Sequence, residues 1–362
     1  MKNTFGQSVC VTIWGESHGN AIGAVIDGLS AGIKIDEAFI KAQMDKRRAY
    51  GKISTPRREE DQVILDSGVF NSMTTGTPIA IRIMNNNTKS EDYQKGLIRP
   101  SHADFVASEK YHGFEDFRGG GHFSGRLTAP IVALGAIALD ILRHKGIHIA
   151  THIKRCAGID DIDFSDNVME DIALLNEKIF ATLSDEKGEE MKEAIESASR
   201  NNTSVGGVLE TVVLGMPTGV GEPFFDSVES CLSHILFSMP AVKGVEFGKG
   251  FAISDMTGEV ANDPVRIENG KVITTTNNSG GINGGITNGM PIIFRCAIRP
   301  TPTIAQEQET IDLVKMENAT ISAKGRHDPC IVHRARVVQD SLTALALLDL
   351  LSVKFGTDWM AQ

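Results

Sequence analysis

Two stretches of this chain leave no polar face for water. Residues 131–142 are apolar except for Asp140, and residues 342–351 are nearly so. A helix that is apolar on every side has to be covered on every side, because exposed it would present one contiguous apolar patch. The chain is therefore expected to hold a helical interior beneath other layers. Pro130 stands where its missing N–H costs nothing and its fixed φ suits a first turn, so it marks the start of the first helix.

Short apolar runs supply candidates for the covering layers. Residues 7–14, 22–26, 63–70, 78–84, 205–214 and 290–298 read as strands, and 263–275 as a hairpin. Asp36 is placed to cap a helix running to Met44, residues 184–202 are charged and helical, and 224–237 read as another helix. Residues 47–58 read as a basic loop and 85–87 as a turn. Segment 71–79 resembles 284–292. Segment 23–26 resembles 207–210, each of these two leading into a Gly-rich turn and a helix. A duplicated half-fold and recurring turn chemistry both account for the echo. No low-complexity linker separates the halves, so residues 1–362 read as a single domain.

The formal charge of -10 disfavours a nucleic-acid or anionic-membrane surface. Five cysteines with no Cys-x-x-Cys pair leave one over in any disulfide scheme, which points to a reducing compartment. There is no signal-like N-terminus, and no apolar run is read as reaching the roughly 20 residues of a membrane helix. A cytoplasmic protein bound neither to membrane nor to nucleic acid is expected.

Against that acidic background, arginines beside glycine or proline stand out: Arg99, Arg118, Arg126, Arg299 and Arg326, with Arg47, Arg48, Lys52, Arg57 and Arg58 crowding one segment. Guanidinium groups read carboxylates and phosphates bidentately, so a small polyanion is the ligand such loops suit. Ordinary surface charge is the competing explanation for any one of them. Three histidines share the same setting: His18 in Gly15-Glu16-Ser17-His18-Gly19, His102 in Arg99-Pro100-Ser101-His102-Ala103-Asp104, and His327 in Gly325-Arg326-His327-Asp328-Pro329. Near neutral pH a histidine donates or accepts a proton. Ser17 and His18 are adjacent, and in a strand they point to opposite faces, which argues against a nucleophilic pair. His102, Asp104, His327, Asp328 and His333 lack any recognised metal spacing, and neither a dinucleotide fingerprint nor a Walker loop is present.

In order and combination these motifs, with Asp27-Gly28, Arg118-Gly119-Gly120-Gly121, Ser124-Gly125-Arg126-Leu127-Thr128, the stretch 239–246 and the continuation to Cys330, resemble the chorismate synthase family from Gly6 to about Leu351. The resemblance implies an α+β fold, a layered β-α-β sandwich with helices between antiparallel sheets, in subunits of a homotetramer. It implies a shikimate-pathway lyase that uses reduced FMN to expel phosphate from a small phosphorylated dicarboxylate, 5-enolpyruvylshikimate 3-phosphate, by anti 1,4-elimination, leaving chorismate. The flavin carries the organic chemistry, while the protein supplies placement, charge and proton control.

The same resemblance implies His18 as the acid near the departing phosphate, His102 as the acid that keeps the reduced flavin protonated, and Asp328 as the carboxylate beside the flavin that relays the substrate proton. It implies Arg47, Lys52, Arg99, Arg126 and Arg326 for the substrate's phosphate and carboxylates. Flavin contacts fall to His122, Phe123, Ser124, Pro240, Ala241, Gly284, Arg299, Pro300, Thr301, Pro302, Thr303 and Arg326. Family members usually carry arginine at His122, serine at Phe123, alanine at Gly125, glutamate at Leu127, glycine at Ser101, arginine at Lys52 and lysine at Arg299. These departures touch the flavin wall. No appended reductase-like domain is evident, so an external flavin reductant is expected. A different phosphate-handling enzyme on this scaffold and a non-catalytic flavin binder are the alternatives.

Overall fold

The structure, a computed structural model, describes residues 3–55, 60–86, 93–322 and 328–362. Arg57, Arg58, Asn87, Gly325, Arg326 and His327, singled out from the sequence, lie outside these residues.

The two apolar stretches are the helices Thr128–His144 and Val332–Phe355, which pack against each other. A five-stranded antiparallel sheet covers the first helix, in the order Thr4–Phe5, Cys10–Gly15, Ala21–Asp27, Ile79–Met84, Ile64–Leu65. A second antiparallel sheet lies on the other helix, in the order Val242–Phe247, Ile292–Ile298, Gly207–Leu214, His148–Cys156, Ile159–Asp160. The expected helical interior between antiparallel sheets is what the chain forms. Strand alternation does the work in the first sheet: Ile22, Ala24 and Ile26 face the helix beside Ile79, Ile81 and Ile83, all at most 1% exposed. The segment Gly125–His144 is long and apolar enough to cross a membrane, contrary to the reading that no apolar run is so long. Yet 83% of its apolar window is buried in the core.

Several boundaries differ from expectation for local reasons. The second core helix begins at Val332 rather than near Leu342, because buried polar residues interrupt its apolar pattern. Three of them find partners on the neighbouring sheet. Arg336 Nε donates to the Thr151 carbonyl at 3.1 Å, Gln339 Nε2 to Thr211 Oγ1 at 2.7 Å, and Thr151 Oγ1 to Asp340 at 2.6 Å. Asp36 does cap a helix, accepting from Phe39 N at 2.9 Å, but the helix runs from Glu37 to Arg47. Arg47 is thus helical, and with Lys46 it sets positive charge in the last turn, where the helix dipole favours it. Residues 63–70 form two short strands, Ile64–Leu65 and Val69–Phe70. Residues 224–237 are a 3-10 turn, Phe224–Asp226, followed by the helix Val228–Leu236, whose cap is Ser227.

The internal echo extends to hydrogen bonds and strand register, as a duplicated half-fold requires. Thr74 Oγ1 donates to the Ser30 carbonyl and accepts from Ile33 N, while Thr74 O accepts from Gly32 N. Thr287 repeats all three contacts with Pro217, Val220 and Gly219. Strand pairing gives the register: Ile26 lies opposite Ile79 as Val213 lies opposite Ile292. Gly23 consequently corresponds to Glu210 and not to Gly207, because Gly23 pairs Arg82 and Glu210 pairs Arg295. The match of 71–79 with 284–292 stands; the match of 23–26 with 207–210 shifts by one short stretch of strand.

Candidate functional site

His18 sits in the turn that joins strand Cys10–Gly15 to Ala21–Asp27. Ser17 N is tied to the Gly121 carbonyl at 3.0 Å, and Ser17 Oγ lies 3.0 Å from His18 Nδ1. The expectation that Ser17 and His18 point apart is corrected here, since it holds for a strand and they occupy a turn. The His18 ring is 8% exposed and meets Tyr93 edge-on, with centroids 5.2 Å apart. Gly119 presses on its other side: a Cβ there would stand 2.0 Å from His18 Cε1. The Gly119-Gly120-Gly121 run is explained by this approach and by Gly119's φ of +63°, which glycine adopts freely.

The next glycine reaches the other histidine. A Cβ on Gly120 would lie 3.2 Å from His102 Cε1 and 3.3 Å from Nε2. His102 Nδ1 is 2.6 Å from Asp104 Oδ1, and Arg99 clamps the same carboxylate through its backbone N at 3.0 Å, Nε at 2.8 Å and Nη2 at 2.6 Å. Burial works against the charge on Asp104, but hydrogen bonds from Arg99 and His102 hold its carboxyl well below the usual carboxylate range. Arg99 also stands over the Tyr93 ring, 5.4 Å from its centroid.

Behind these loops opens a cavity of about 1230 Å³. Arg47, Arg48, Arg99, Arg126, Lys243, Arg299 and Arg334 line it, against Glu60, Asp61 and Asp328. Arg47 and Arg126 are 7% and 8% exposed. Arg47 donates to Thr128 Oγ1 at 2.9 Å and to the Gly125 carbonyl at 2.8 Å; Arg126 donates to Asn85 Oδ1 at 3.0 Å. Both also reach Asp61, Arg47 at 3.4 Å and Arg126 by a close contact. The cavity is therefore a cationic cleft that can take up a small anion carrying several charges. Asp328 lies on its wall, with Oδ1 accepting from Thr55 N at 2.8 Å and Oδ2 from Arg334 Nη1 at 2.7 Å.

Most of the residues named from the sequence meet here. Arg47, Arg99, His102, His122, Phe123, Ser124, Arg126, Pro240, Ala241, Arg299, Thr301, Pro302, Thr303 and Asp328 all line this cavity. His18 adjoins it through Gly119, and Pro300 through its neighbours. His122 Nδ1 donates to the Gly15 carbonyl at 2.8 Å, and the Thr301 hydroxyl to the Asp328 carbonyl at 2.7 Å. Three described residues stay apart: Lys52 is exposed in the 3-10 turn Gly51–Ile53, Gly284 is exposed in the turn between Ile282–Asn283 and Ile286–Thr287, and Arg118 pairs with Asp116 outside the cavity. Sequence reasoning missed Asp61, Asn85, Tyr93 and Arg334. An acid run directly after the basic loop was the available signal for Asp61. Arg334 lay in a stretch not read as helix.

One glycine run that sets two histidines beside a cleft lined with arginine defines an enzyme that handles protons on a small polyanionic substrate. A family model described as chorismate synthase matches residues 9–352. The chorismate synthase of Chitinophaga pinensis is 46% identical over 349 residues, covering 96% of each chain. That of Dehalococcoides mccartyi is 42% identical over 364 residues, covering 97% of this chain and 96% of the relative. A crystal structure of chorismate synthase matches with a TM-score of 0.77 at 27% identity, over 98% of this chain and 94% of the other. The chain belongs to the chorismate synthase family. It is a lyase, and its reaction is the FMN-dependent elimination step of the shikimate pathway.

Proposed function

We propose that the cleft holds 5-enolpyruvylshikimate 3-phosphate beside reduced FMN, and that His18, His102 and Asp328 manage the protons of the anti 1,4-elimination. The observation that supports this most is the convergence of Arg47, Arg126 and His102 on one cavity that His18 borders. The residues suit a flavin: Met239, Pro240, Ala241 and Val338 offer an apolar wall, and Ser124, Thr301, Thr303 and Arg299 offer polar and cationic groups at its edge. When bound, reduced FMN supplies the electron-rich ring that assists cleavage of the carbon–oxygen bond to phosphate.

The chain's own groups have separate tasks in this reading. Arg47 and Arg126, each of which also pairs with Asp61, bind the substrate's phosphate or carboxylate. His18, held by Ser17 and pressed by Gly119, gives a proton to the departing phosphate. Asp328, steadied by Thr55 and Arg334, accepts the ring proton that leaves. His102 serves the flavin side of the cleft. Burial of Arg47 and Arg126 strengthens each charge they neutralise, since little water competes.

The chain works as one domain and as a homotetramer in the cytoplasm, fed by an external flavin reductant. Phe224, Phe225 and Phe251 are each more than 85% exposed in the single chain, which supports burial against further copies. The deciding assay is anaerobic: purified protein, reduced FMN and 5-enolpyruvylshikimate 3-phosphate are expected to give phosphate and chorismate in equal amounts. Release of neither refutes the proposal. Sustained aerobic turnover from NADPH and oxidised FMN, with this protein alone, refutes the external reductant.

A further inference from the structure

We propose that Asp104 is the positioning residue for His102: it fixes the ring with the proton on Nδ1 and so makes Nε2 the atom that exchanges protons in the cleft. The inference rests on the reading of His102 as a proton-handling group. Its geometric core is independent of that reading.

An ionised carboxylate only accepts hydrogen bonds, so the 2.6 Å contact between Asp104 Oδ1 and His102 Nδ1 requires a proton on Nδ1. Arg99 Nη2 stands 3.2 Å from the same nitrogen, which would suit the opposite tautomer if Nδ1 were an acceptor. The shorter distance decides. Arg99 Nη2 is 2.6 Å from Asp104 Oδ1, so guanidinium and imidazole crowd together because both donate to one oxygen. Asp104 keeps its charge because Arg99 delivers three N–H groups to it, from the backbone, Nε and Nη2. Arg99 thereby spends two of its three side-chain nitrogens on Asp104, which makes it the clamp of this assembly more than a ligand for substrate.

Among the described residues, no hydrogen-bond partner meets the other ring nitrogen, Nε2. The far edge of the ring, Cε1 and Nε2, lies against Gly120, one residue from the glycine that presses on His18, and His102 lines both the 1230 Å³ cavity and the adjoining one of about 980 Å³. Asp104 is the first residue of the helix Asp104–Tyr111, so its carboxylate is carried on a regular element rather than on the loop it orients.

The test is nitrogen-15 and carbon-13 magnetic resonance of histidine-labelled protein without cofactor, with His102 assigned by comparison with His102→Gln. Above the ring's titration, wild type is expected to show the proton on Nδ1. Asp104→Asn is expected to populate the form with the proton on Nε2, because an amide can donate to Nδ1, and Asp104→Glu to restore the wild-type form. In the anaerobic assay Asp104→Asn should lower kcat by roughly 10² to 10⁴, the usual worth of a placed acid or base, with KM little changed and Asp104→Glu largely rescued. A wild-type ring protonated on Nε2, or an Asp104→Asn ring identical to wild type, overturns the proposal. If Asp104→Asn does not fold, the wild-type spectrum alone decides. A ring that switches tautomer while turnover holds keeps Asp104 as the residue that sets it and removes His102 from the chemistry, so the two readings fail separately.

Discussion

Replacing Gly119 with alanine tests whether the glycine run sets the position of His18. The new Cβ would stand 2.0 Å from His18 Cε1 and 2.2 Å from Nδ1. Carbon atoms rest about 3.5 to 4.0 Å apart, so the imidazole has to retreat by about 1.5 Å. It cannot do so freely, because Tyr93 lies against the ring and Ser17 Oγ holds Nδ1. Alanine at a φ of +63° adds a backbone cost, and with the Ser17 bond lost the variant should be about 2 to 3 kcal/mol less stable. A displacement of about 1 Å at a reacting group costs on the order of 10² in rate. Single-turnover phosphate release, measured anaerobically with both ligands saturating, should fall by about that factor. Urea unfolding confirms that the variant is folded under the assay conditions. Gly270→Ala is the matched control, since its φ of +75° carries a like backbone cost while nothing lies within 4 Å of a Cβ there. A chemical step in Gly119→Ala as fast as in that control refutes the reasoning.

Three further predictions follow from other contacts. Asp328→Asn keeps an acceptor for Thr55 N but loses the ion pair with Arg334; a proton-transfer role predicts single-turnover rates down by roughly 10² to 10⁴ with ligand affinities little changed, and an equally fast chemical step assigns Asp328 a structural role. Asp349, buried in the helix Val332–Phe355, accepts the backbone N–H groups of Gln7, Ser8 and Val9 at 2.8 to 3.1 Å. Asp349→Asn should lower the urea midpoint by the equivalent of about 3 kcal/mol without changing the slope; an unchanged midpoint counts against the anchor. His152 is fully buried; burial opposes its charge, but hydrogen bonds to Asp161 and Glu210 raise its pKa above the ordinary value. Its charged form therefore adds stability that is fully present below about pH 6.5 and is lost as pH rises through the raised value. The stability gap between wild type and His152→Gln should narrow over that range, and a gap independent of pH refutes the charge assignment.

How far the chain could be read in advance depended on whether each signal was local. Asp36, Ser184 and Pro130 mark helix starts through their own side chains, and each helix begins within a residue or two of them. The apolar runs around Leu134 and Leu347 demanded burial whatever surrounded them, so the helical interior was legible. The first ten or so residues of the last helix were not, because Arg336, Gln339 and Asp340 look like surface residues until Thr151 and Thr211 are brought against them. Tertiary packing overrode the pattern there.

The site divides the same way. Residue types and their loop punctuation marked Arg99, His102, His18 and Arg126, because anion binding and proton transfer need those groups beside glycine and proline turns, whereas Asp328 came with the family resemblance. Which of them meet, and through which neighbours, came only with the fold. Chain positions far apart in sequence meet at Arg126 and Asp61, at Arg334 and Asp328, and at Gly119 and His18. Sequence alone determined which chemistry this chain could support and that its helices had to be covered. The tertiary structure decided the register of the two halves and the partner of each buried charge, since distances of about 3 Å between distant residues are properties of packing and not of composition.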